Sequence, residues 1–373
     1  MTGVAISGTG VFTPEQVITN DELVATFNEW ADRENEKNAD AIAAGEMTPL
    51  AHSSSEFIVK ASGIEQRYVL NKSGVLDPAI MHPVLPERGD DELSVMAEMA
   101  VKAAQIALAQ SGRTSADIDA VICAASNHER AYPAIAVEVQ KALGIGGFAF
   151  DMNVACSSAT FGIQAAADMI RGGSARAILM VNPEICSAHL EWRDRDCHFI
   201  FGDVCTAVVL EASNAARAGS FEIISTRCIT SFSNNIRNDN GFLRRTRQGH
   251  MDDRRDMLFR QEGRKVFKEV VPMVAQLIAD HLDDQSIDVA GIKRLWLHQA
   301  NKSMNDLIGA KVLGRKPEPA EQPNILQDYA NTSSAGSIIA FSKYNDDLAA
   351  GDVGVICSFG AGYSAGSVIV RRT

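Results

Sequence analysis

Among 373 residues, one cysteine, one histidine and one asparagine stand where their chemistry could be used. Cys156 lies in Asn153-Val154-Ala155-Cys156-Ser157-Ser158-Ala159-Thr160-Phe161-Gly162. A short apolar run, Phe148 to Met152, precedes it, and Ile163, Ala166, Ala167 and Ile170 recur after it at helical spacing. The cysteine is thus expected at a strand-to-helix turn, close to a helix N-terminus. That end carries partial positive charge and unpaired N–H groups. Both favour thiolate, the nucleophilic form. The same pattern also suits a small buried cysteine with no chemistry. His298, in Leu297-His298-Gln299-Ala300-Asn301, falls at a strand end, where a histidine is more often structural than catalytic. Asn331, in Ala330-Asn331-Thr332-Ser333-Ser334-Ala335-Gly336, falls in a small-residue turn before a helix, where an asparagine is more often a cap. Phe359-Gly360-Ala361-Gly362-Tyr363-Ser364-Ala365-Gly366 reads either as a tight hairpin or as a place where backbone N–H groups approach an oxyanion.

The elements that must position these residues follow from patterning. Val4 to Val11 reads as a buried strand, and Thr19-Asn20-Asp21-Glu22-Leu23 as a helix start. Residues 28–55 are charged and then small and polar, which suits a solvated excursion or a lid. Ser62 to Val69 resumes regular structure. Residues 71–90, with Pro78, Pro83 and Pro86, form a second excursion. A helix over Asp91–Ala109, a strand over Ile118–Ala125, a helix from Pro133, and strands over Ala175–Val181 and Asp203–Glu211 complete a first series. From Gly219 the order restarts: strand Phe221–Ser225, an arginine-rich polar stretch Ser233–Arg255, helix Gln261–Leu282, strand Arg294–Leu297 and helix Asn301–Leu313. Helix Gly336–Asp347 and strands Val353–Ser358 and Ser367–Arg371 end it. This predicts a layered α/β fold of two similar halves, residues 1–215 and 216–373, with one large sheet as the alternative.

Composition bounds the function. With 46% hydrophobic and 22% charged residues the chain reads as a soluble globular enzyme. A net charge of −12 argues against nucleic acid, which rewards clustered Lys and Arg. No apolar run reaches the length of about 18 residues that a membrane span needs. Met1-Thr2-Gly3-Val4-Ala5-Ile6 reads as a first strand and not as a signal peptide. The seven cysteines are scattered without a CxxC pair, so neither a zinc site nor a disulfide framework is indicated, and a reducing cytoplasm fits. No Walker loop or dinucleotide fingerprint is present.

In chain order, a cysteine at a helix start, His298-Gln299-Ala300-Asn301, Asn331-Thr332-Ser333 and Phe359-Gly360-Ala361-Gly362 strongly resemble the thiolase-fold β-ketoacyl-[acyl-carrier-protein] synthase III enzymes. The resemblance runs from Ile6-Ser7-Gly8-Thr9-Gly10 to Ser367-Val368. It takes in Ser62-Gly63-Ile64-Glu65-Gln66-Arg67, Phe201-Gly202-Asp203 and Gly263-Arg264-Lys265-Val266-Phe267-Lys268, and leaves out residues 28–52 and about 71–90. It implies a thiolase-like fold of five layers, α-β-α-β-α, and a cytoplasmic homodimer. The implied reaction is decarboxylative condensation of an acyl-CoA primer with malonyl on acyl carrier protein (malonyl-ACP) in fatty acid biosynthesis, without cofactor or metal. Cys156 would carry the acyl group. His298 and Asn331 would donate to the enolate oxygen formed as carbon dioxide leaves, and the N–H groups of Cys156 and Ala361 would form the oxyanion hole. Ala361 and Val204 stand where the family often has glycine.

Two departures bear on substrate. Phe57 and Ala61 stand where the family has Trp and Arg at the coenzyme A entrance, so an aromatic contact is kept and a cation lost. Tyr132-Pro133 matches the family's aromatic before proline, which reaches the partner's site in the dimer and helps set chain length. The altered entrance, with two insertions beside it, points to a medium-chain primer. A thiolase-fold relative of secondary metabolism stays open, and would favour a glutamate as base, with Glu129 the residue to watch. A non-catalytic subunit also stays open, though the intact Cys156, His298 and Asn331 speak against it.

Overall fold

The structure, a computed structural model, describes residues 2–241, 243, 246 and 254–373. The first part of the chain folds as β1 (Val4–Phe12), β2 (Gln16–Thr19), α1 (Asn20–Lys37), α2 (Ala39–Ala43), α3 (Ser55–Ser62), β3 (Gln66–Val69) and α4 (Val95–Ser111). Next come β4 (Ala120–Ala124), α5 (Ile135–Leu143), β5 (Phe148–Met152), α6 (Ser158–Arg171), β6 (Ala177–Ile185) and β7 (Asp203–Ala212). The remainder gives β8 (Phe221–Ser233), β9 (Ile236–Arg237), β10 (Arg260–Gln261), α7 (Gly263–Asp284), β11 (Ile292–Leu297), α8 (Lys302–Leu313), α9 (Leu326–Tyr329), α10 (Gly336–Lys343), β12 (Val353–Gly360) and β13 (Gly362–Arg372).

Nine strands are connected in the order β11-β12-β13-β8-β1-β7-β6-β4-β5. The joint at β1 and β8 is narrow, with Ala5 opposite Glu222 and Ile6 opposite Phe221. On either side the pairing is mixed: β4 runs parallel to β5 and β6, and β11 parallel to β12, whereas the strands nearer the joint are antiparallel.

Alternate residues of each strand enter different cores, as the pleat requires. In β4, Ala120, Ile122 and Ala124 enter one cluster and Val121 and Cys123 a second. In β12, Ile356 enters the first, and Val355, Cys357 and Phe359 a third. The first cluster also holds Ile163, Ala166, Ala167 and Ile170 of α6 together with Ile338 and Phe341 of α10. Helices α4 and α5 fill the second cluster, and α7 and α8 the third. The layers are therefore outer helices, strands, α6 with α10, strands, outer helices, which is the expected five-layer thiolase-like arrangement.

A fourth cluster caps one end of these layers. It contains Leu23, Phe27 and Ala31 of α1, Ile58 of α3, and Trp192, Phe199 and Phe201. Buried Arg67 ties it together, donating to the carbonyls of Ile18 (3.1 Å) and Phe199 (3.3 Å) and to Asn20 Oδ1 (2.8 Å).

Some expected boundaries move. The charged excursion expected from Asn28 is helical as far as Lys37, because Asn20, Leu23, Phe27 and Ala31 keep one face buried while the charges line the other. Helix α4 starts at Val95 rather than Asp91. Ser94 caps it, its hydroxyl accepting from Ala97 N at 3.2 Å. Strand β8 runs on to Ser233 because β13 pairs with it as far as Gly362. Part of the arginine-rich stretch, 242, 244–245 and 247–253, lies outside the described residues.

Candidate active site

Cys156 sits on an elbow between β5 and α6. Ala155 takes φ +47°, a left-handed value that costs a non-glycine residue about 1–3 kcal/mol and persists only where surroundings enforce it. Here Ala155 N donates to Asn153 Oδ1 (2.9 Å), Val154 N to Ser158 Oγ (2.9 Å), and Ser158 Oγ to Ala155 O (2.7 Å). Ser157 Oγ reaches across to Ser364 O at 3.0 Å, fastening the elbow to the β12–β13 hairpin. A Cβ on Gly360 would stand 2.6 Å from Cys156 Cβ and 3.0 Å from Sγ, so only glycine lets the hairpin lie against this cysteine. The tight hairpin is present, with Ala361 at its turn, and it packs against Cys156.

His298 ends β11. Its N–H donates to Cys357 O at 2.7 Å, its carbonyl accepts from Asn305 Nδ2 at 2.9 Å, and its ring meets Phe359 edge-on at 5.2 Å. Asn331 is held through its main chain, donating to Ile200 O (2.9 Å) and accepting from Gly202 N (3.1 Å). Its Oδ1 accepts from Ser333 N at 2.9 Å, which leaves the amide NH₂ to meet a ligand. Ser333 Oγ donates to Cys156 Sγ at 3.4 Å. Sequence reasoning missed this serine, because its place follows from left-handed backbone at Ala330 (φ +55°) and Ser333 (φ +50°) that neither residue type announces.

The electrostatics correct one expectation. A thiol at a helix start should be acidic, yet Cys156 is pushed up to about 11. Burial is the largest cause, and Glu184 adds to it. The Ser333 hydroxyl and the main-chain N–H groups of Ala361 and of Cys156 itself act the other way. Helix α6 begins only at Ser158, so the sulfur lies off the helix and desolvation wins. Burial also lowers His298 to about 4, against a weaker opposing hydrogen bond to the Ser333 main chain. The imidazole is neutral at pH 7.

Cys156, His298 and Asn331 line one cavity of about 280 Å³. Phe57 and Ala61 line it as well, with Phe199, Phe259 and Phe267 among its apolar walls. A cation does lie beside Phe57: the Arg195 guanidinium is 4.2 Å from the Phe57 ring centroid, and its Nε donates to His52 O at 2.7 Å. The 28–52 insertion thus reaches Arg195, and through it Phe57, by the His52 carbonyl. No residue of the 71–90 insertion lines this cavity, though Val75 and Met81 pack in the same apolar cluster as its walls Phe199 and Phe259. From β3 the insertion crosses toward α4, and Leu85 to Gly89 line a separate groove of about 1100 Å³ with Asn127–Arg130, Glu138 and Glu184. Glu129 lines that groove too, its Oε2 accepting from Met96 N at 3.1 Å, and does not reach the Cys156 cavity. Tyr132 is 85% exposed and absent from the cavity of its own chain. Cys123, His128 and Asp151 bring ligand atoms within 4.8 Å of one another, but the Asp151 oxygens already accept the Ile135 and Ala136 N–H groups at 2.8 Å each.

Comparison with known proteins bears on this geometry. The family description "3-Oxoacyl-[acyl-carrier-protein (ACP)] synthase III" matches residues 150–231, and its C-terminal counterpart matches residues 282–372. A β-ketodecanoyl-[acyl-carrier-protein] synthase of Pseudomonas aeruginosa is 61% identical over 348 residues, covering 93% of this chain and 99% of the relative. The chain belongs to the 3-oxoacyl-[acyl-carrier-protein] synthase III family. It is a condensing acyltransferase of fatty acid biosynthesis. The β-ketoacyl-[acyl-carrier-protein] synthase III of Rhizobium johnstonii is 31% identical over 332 residues, 87% of this synthase and 93% of the relative. The crystal structure of the synthase III from Aquifex aeolicus shares the fold with a TM-score of 0.76 at 24% identity, over 99% of this chain and all of that one. Among the described residues of this synthase, no helix is long and apolar enough to cross a membrane.

Proposed function

We propose that this synthase transfers a medium-chain acyl group, of octanoyl length, from coenzyme A to Cys156 and condenses it with malonyl-ACP to give 3-oxodecanoyl-ACP. The 61% identity to a β-ketodecanoyl synthase along nearly the whole chain carries this reading. Each methylene buried beside the thioester contributes about 0.8 kcal/mol, close to fourfold in affinity, so a few methylenes decide the primer.

Cys156 attacks the acyl thioester, and its sulfur keeps the acyl group as coenzyme A leaves. The N–H groups of Cys156 and Ala361, which face the sulfur, are suited to the oxyanion. Malonyl-ACP then loses carbon dioxide. Neutral His298 and the Asn331 amide donate to the enolate oxygen, and the carbanion attacks the acyl carbon, releasing Cys156. No group beyond the two substrates is needed for these steps. Phe57 is read as a coenzyme A contact at the mouth and Tyr132 as a residue that enters the partner's site in a homodimer, with the cytoplasm as the setting. Residues 1–215 and 216–373 are read as the two halves, on the repeated order of their elements.

The kcat/KM values for acetyl-, butyryl-, octanoyl- and dodecanoyl-CoA with malonyl-ACP test the primer. Octanoyl-CoA is expected to lead. A clear acetyl preference with octanoyl-CoA inert overturns the medium-chain reading and leaves the condensation standing.

A further inference from the structure

Behind the Asn331 turn lies a carboxyl group that the chemistry above does not use. Glu184, near the end of β6, is 1% exposed. Its Oε1 accepts from Ser126 N at 3.0 Å, from Ser334 N at 3.2 Å and from the Ser334 hydroxyl. Its Oε2 accepts from Ser126 Oγ at 2.5 Å and faces the Cys186 thiol at 3.9 Å. The ionisable groups whose charge it influences are the thiols of Cys123, Cys156, Cys186 and Cys205. Among the described residues, no Lys, Arg or His side chain forms an ion pair with it. A buried carboxyl without a cation is costly, and burial raises this one to about 7. Its presence calls for a reason.

The donors supply one. Ser126 follows β4, and its carbonyl accepts from Asn153 Nδ2 at 2.8 Å, at the base of the Cys156 elbow. Ser334 directly follows Ser333, three residues on from Asn331. The turn is held on its first side by the Asn331 main-chain bonds to Ile200 and Gly202, and on its second side the bonds of Ser334 converge on Glu184. Between these anchors lies the left-handed backbone of Ser333, which must be held from outside.

We propose that Glu184 is a positioning residue for the condensation: it clamps Ser334, and through it the Asn331–Ser333 turn, so that the Asn331 amide faces the reacting carbons. The proposal rests on the roles given above to Cys156 and Asn331. It places the effect on decarboxylation more than on acyl transfer, because Ser334 belongs to the Asn331 turn itself, whereas Ser126 reaches the elbow only through the Asn153 side chain.

Two half-reactions separate the roles: acyl transfer from the preferred acyl-CoA to the protein, followed by intact mass, and carbon dioxide release from malonyl-ACP by the acylated enzyme. Glu184→Ala is expected to slow carbon dioxide release on the order of tenfold or more, and acyl transfer by less than about threefold. Glu184→Gln is expected to keep both within about threefold. Its carbonyl can take the three Oε1 donors, while its NH₂ meets the Ser126 hydroxyl and the Cys186 sulfur, which both accept. Equal losses in the two half-reactions for Glu184→Ala, or a glutamine variant as slow as the alanine one, overturn the proposal. If Glu184→Ala does not fold, Ser334→Ala against Ser126→Ala decides. The first is expected to slow carbon dioxide release and the second not, and equal effects overturn the clamp. Asn331→Ala, run alongside, keeps the two levels apart. If it leaves carbon dioxide release intact, the assignment of Asn331 has failed, whatever Glu184→Ala does.

Discussion

Donors surround the Cys156 sulfur, yet burial leaves its thiol weakly acidic. With its thiol at about 11, the thiolate fraction rises with pH throughout the neutral and mildly alkaline range. Acyl transfer to Cys156, measured alone by mass, is therefore expected to accelerate from pH 7 to pH 9, and a flat profile would refute that account. His298, at about 4, is uncharged over the same range and adds no limb to decarboxylation above pH 5. Cys156→Ser should show no acyl-thioester adduct, and an undiminished adduct elsewhere would remove it as nucleophile. His298→Ala and Asn331→Ala should each slow carbon dioxide release on the order of 100-fold, as removal of one oxyanion donor does, with acyl transfer much less affected. Near-normal condensation in both variants would show these roles to be wrong. At this scale Cys156, His298, Asn331 and the Ala361 turn were legible in sequence, since their types and flanking small residues carry a motif. Ser333 and Glu184 were not. A serine in a turn and a glutamate at a strand end have bland readings, and only the fold brings them behind Cys156.

At the scale of elements, the elbow and the β12–β13 hairpin function as one piece. Gly360→Ala places a Cβ against the Cys156 side chain, with no flexible side-chain end to yield. It is expected to abolish acyl transfer while far-ultraviolet circular dichroism stays that of the parent; a variant acylated at the parental rate would show that the hairpin has slack. Most elements were readable from apolar periodicity, including α7, which continues through Pro272. What periodicity could not give was context. The charges of α1 look like a loop until Leu23, Phe27 and Ala31 are seen to share a face. The Arg195–Phe57 stack depends on a carbonyl of the 28–52 insertion, and nothing in the composition of that insertion announces it. Arg195→Ala is expected to raise KM for acyl-CoA with little change in kcat, and an unchanged KM would divorce the stack from coenzyme A.

For the molecule as a whole, buried histidines set the acid limit. His189, His281 and His298 are lowered to about 4 and His198 to about 3, burial being the first cause in each. Their unfolded value is about 6.5, so below it the unfolded chain binds protons that the fold refuses. Stability is lost as pH falls from 6.5 toward 4. Glu184, raised to about 7, and Asp203, raised to about 6, work in the opposite sense, since the fold retains their protons after the unfolded chain has released them. With four groups against two, Tm is expected to drop between pH 6.5 and pH 4, and a Tm that rises on acidification would show the carboxyl pair to dominate.

The shared central layer has a consequence for how the protein can be taken apart. Helix α6 comes from before the crossing between β7 and β8, and α10 from after it, yet both belong to one apolar cluster. The crossing itself runs over the surface, with Asn214, Ala215, Arg217 and Ala218 exposed. A protease that nicks this link cuts no strand and opens no core. The two pieces should stay associated and active after cleavage, part only in denaturant, and regain activity only when mixed again, neither piece being competent alone.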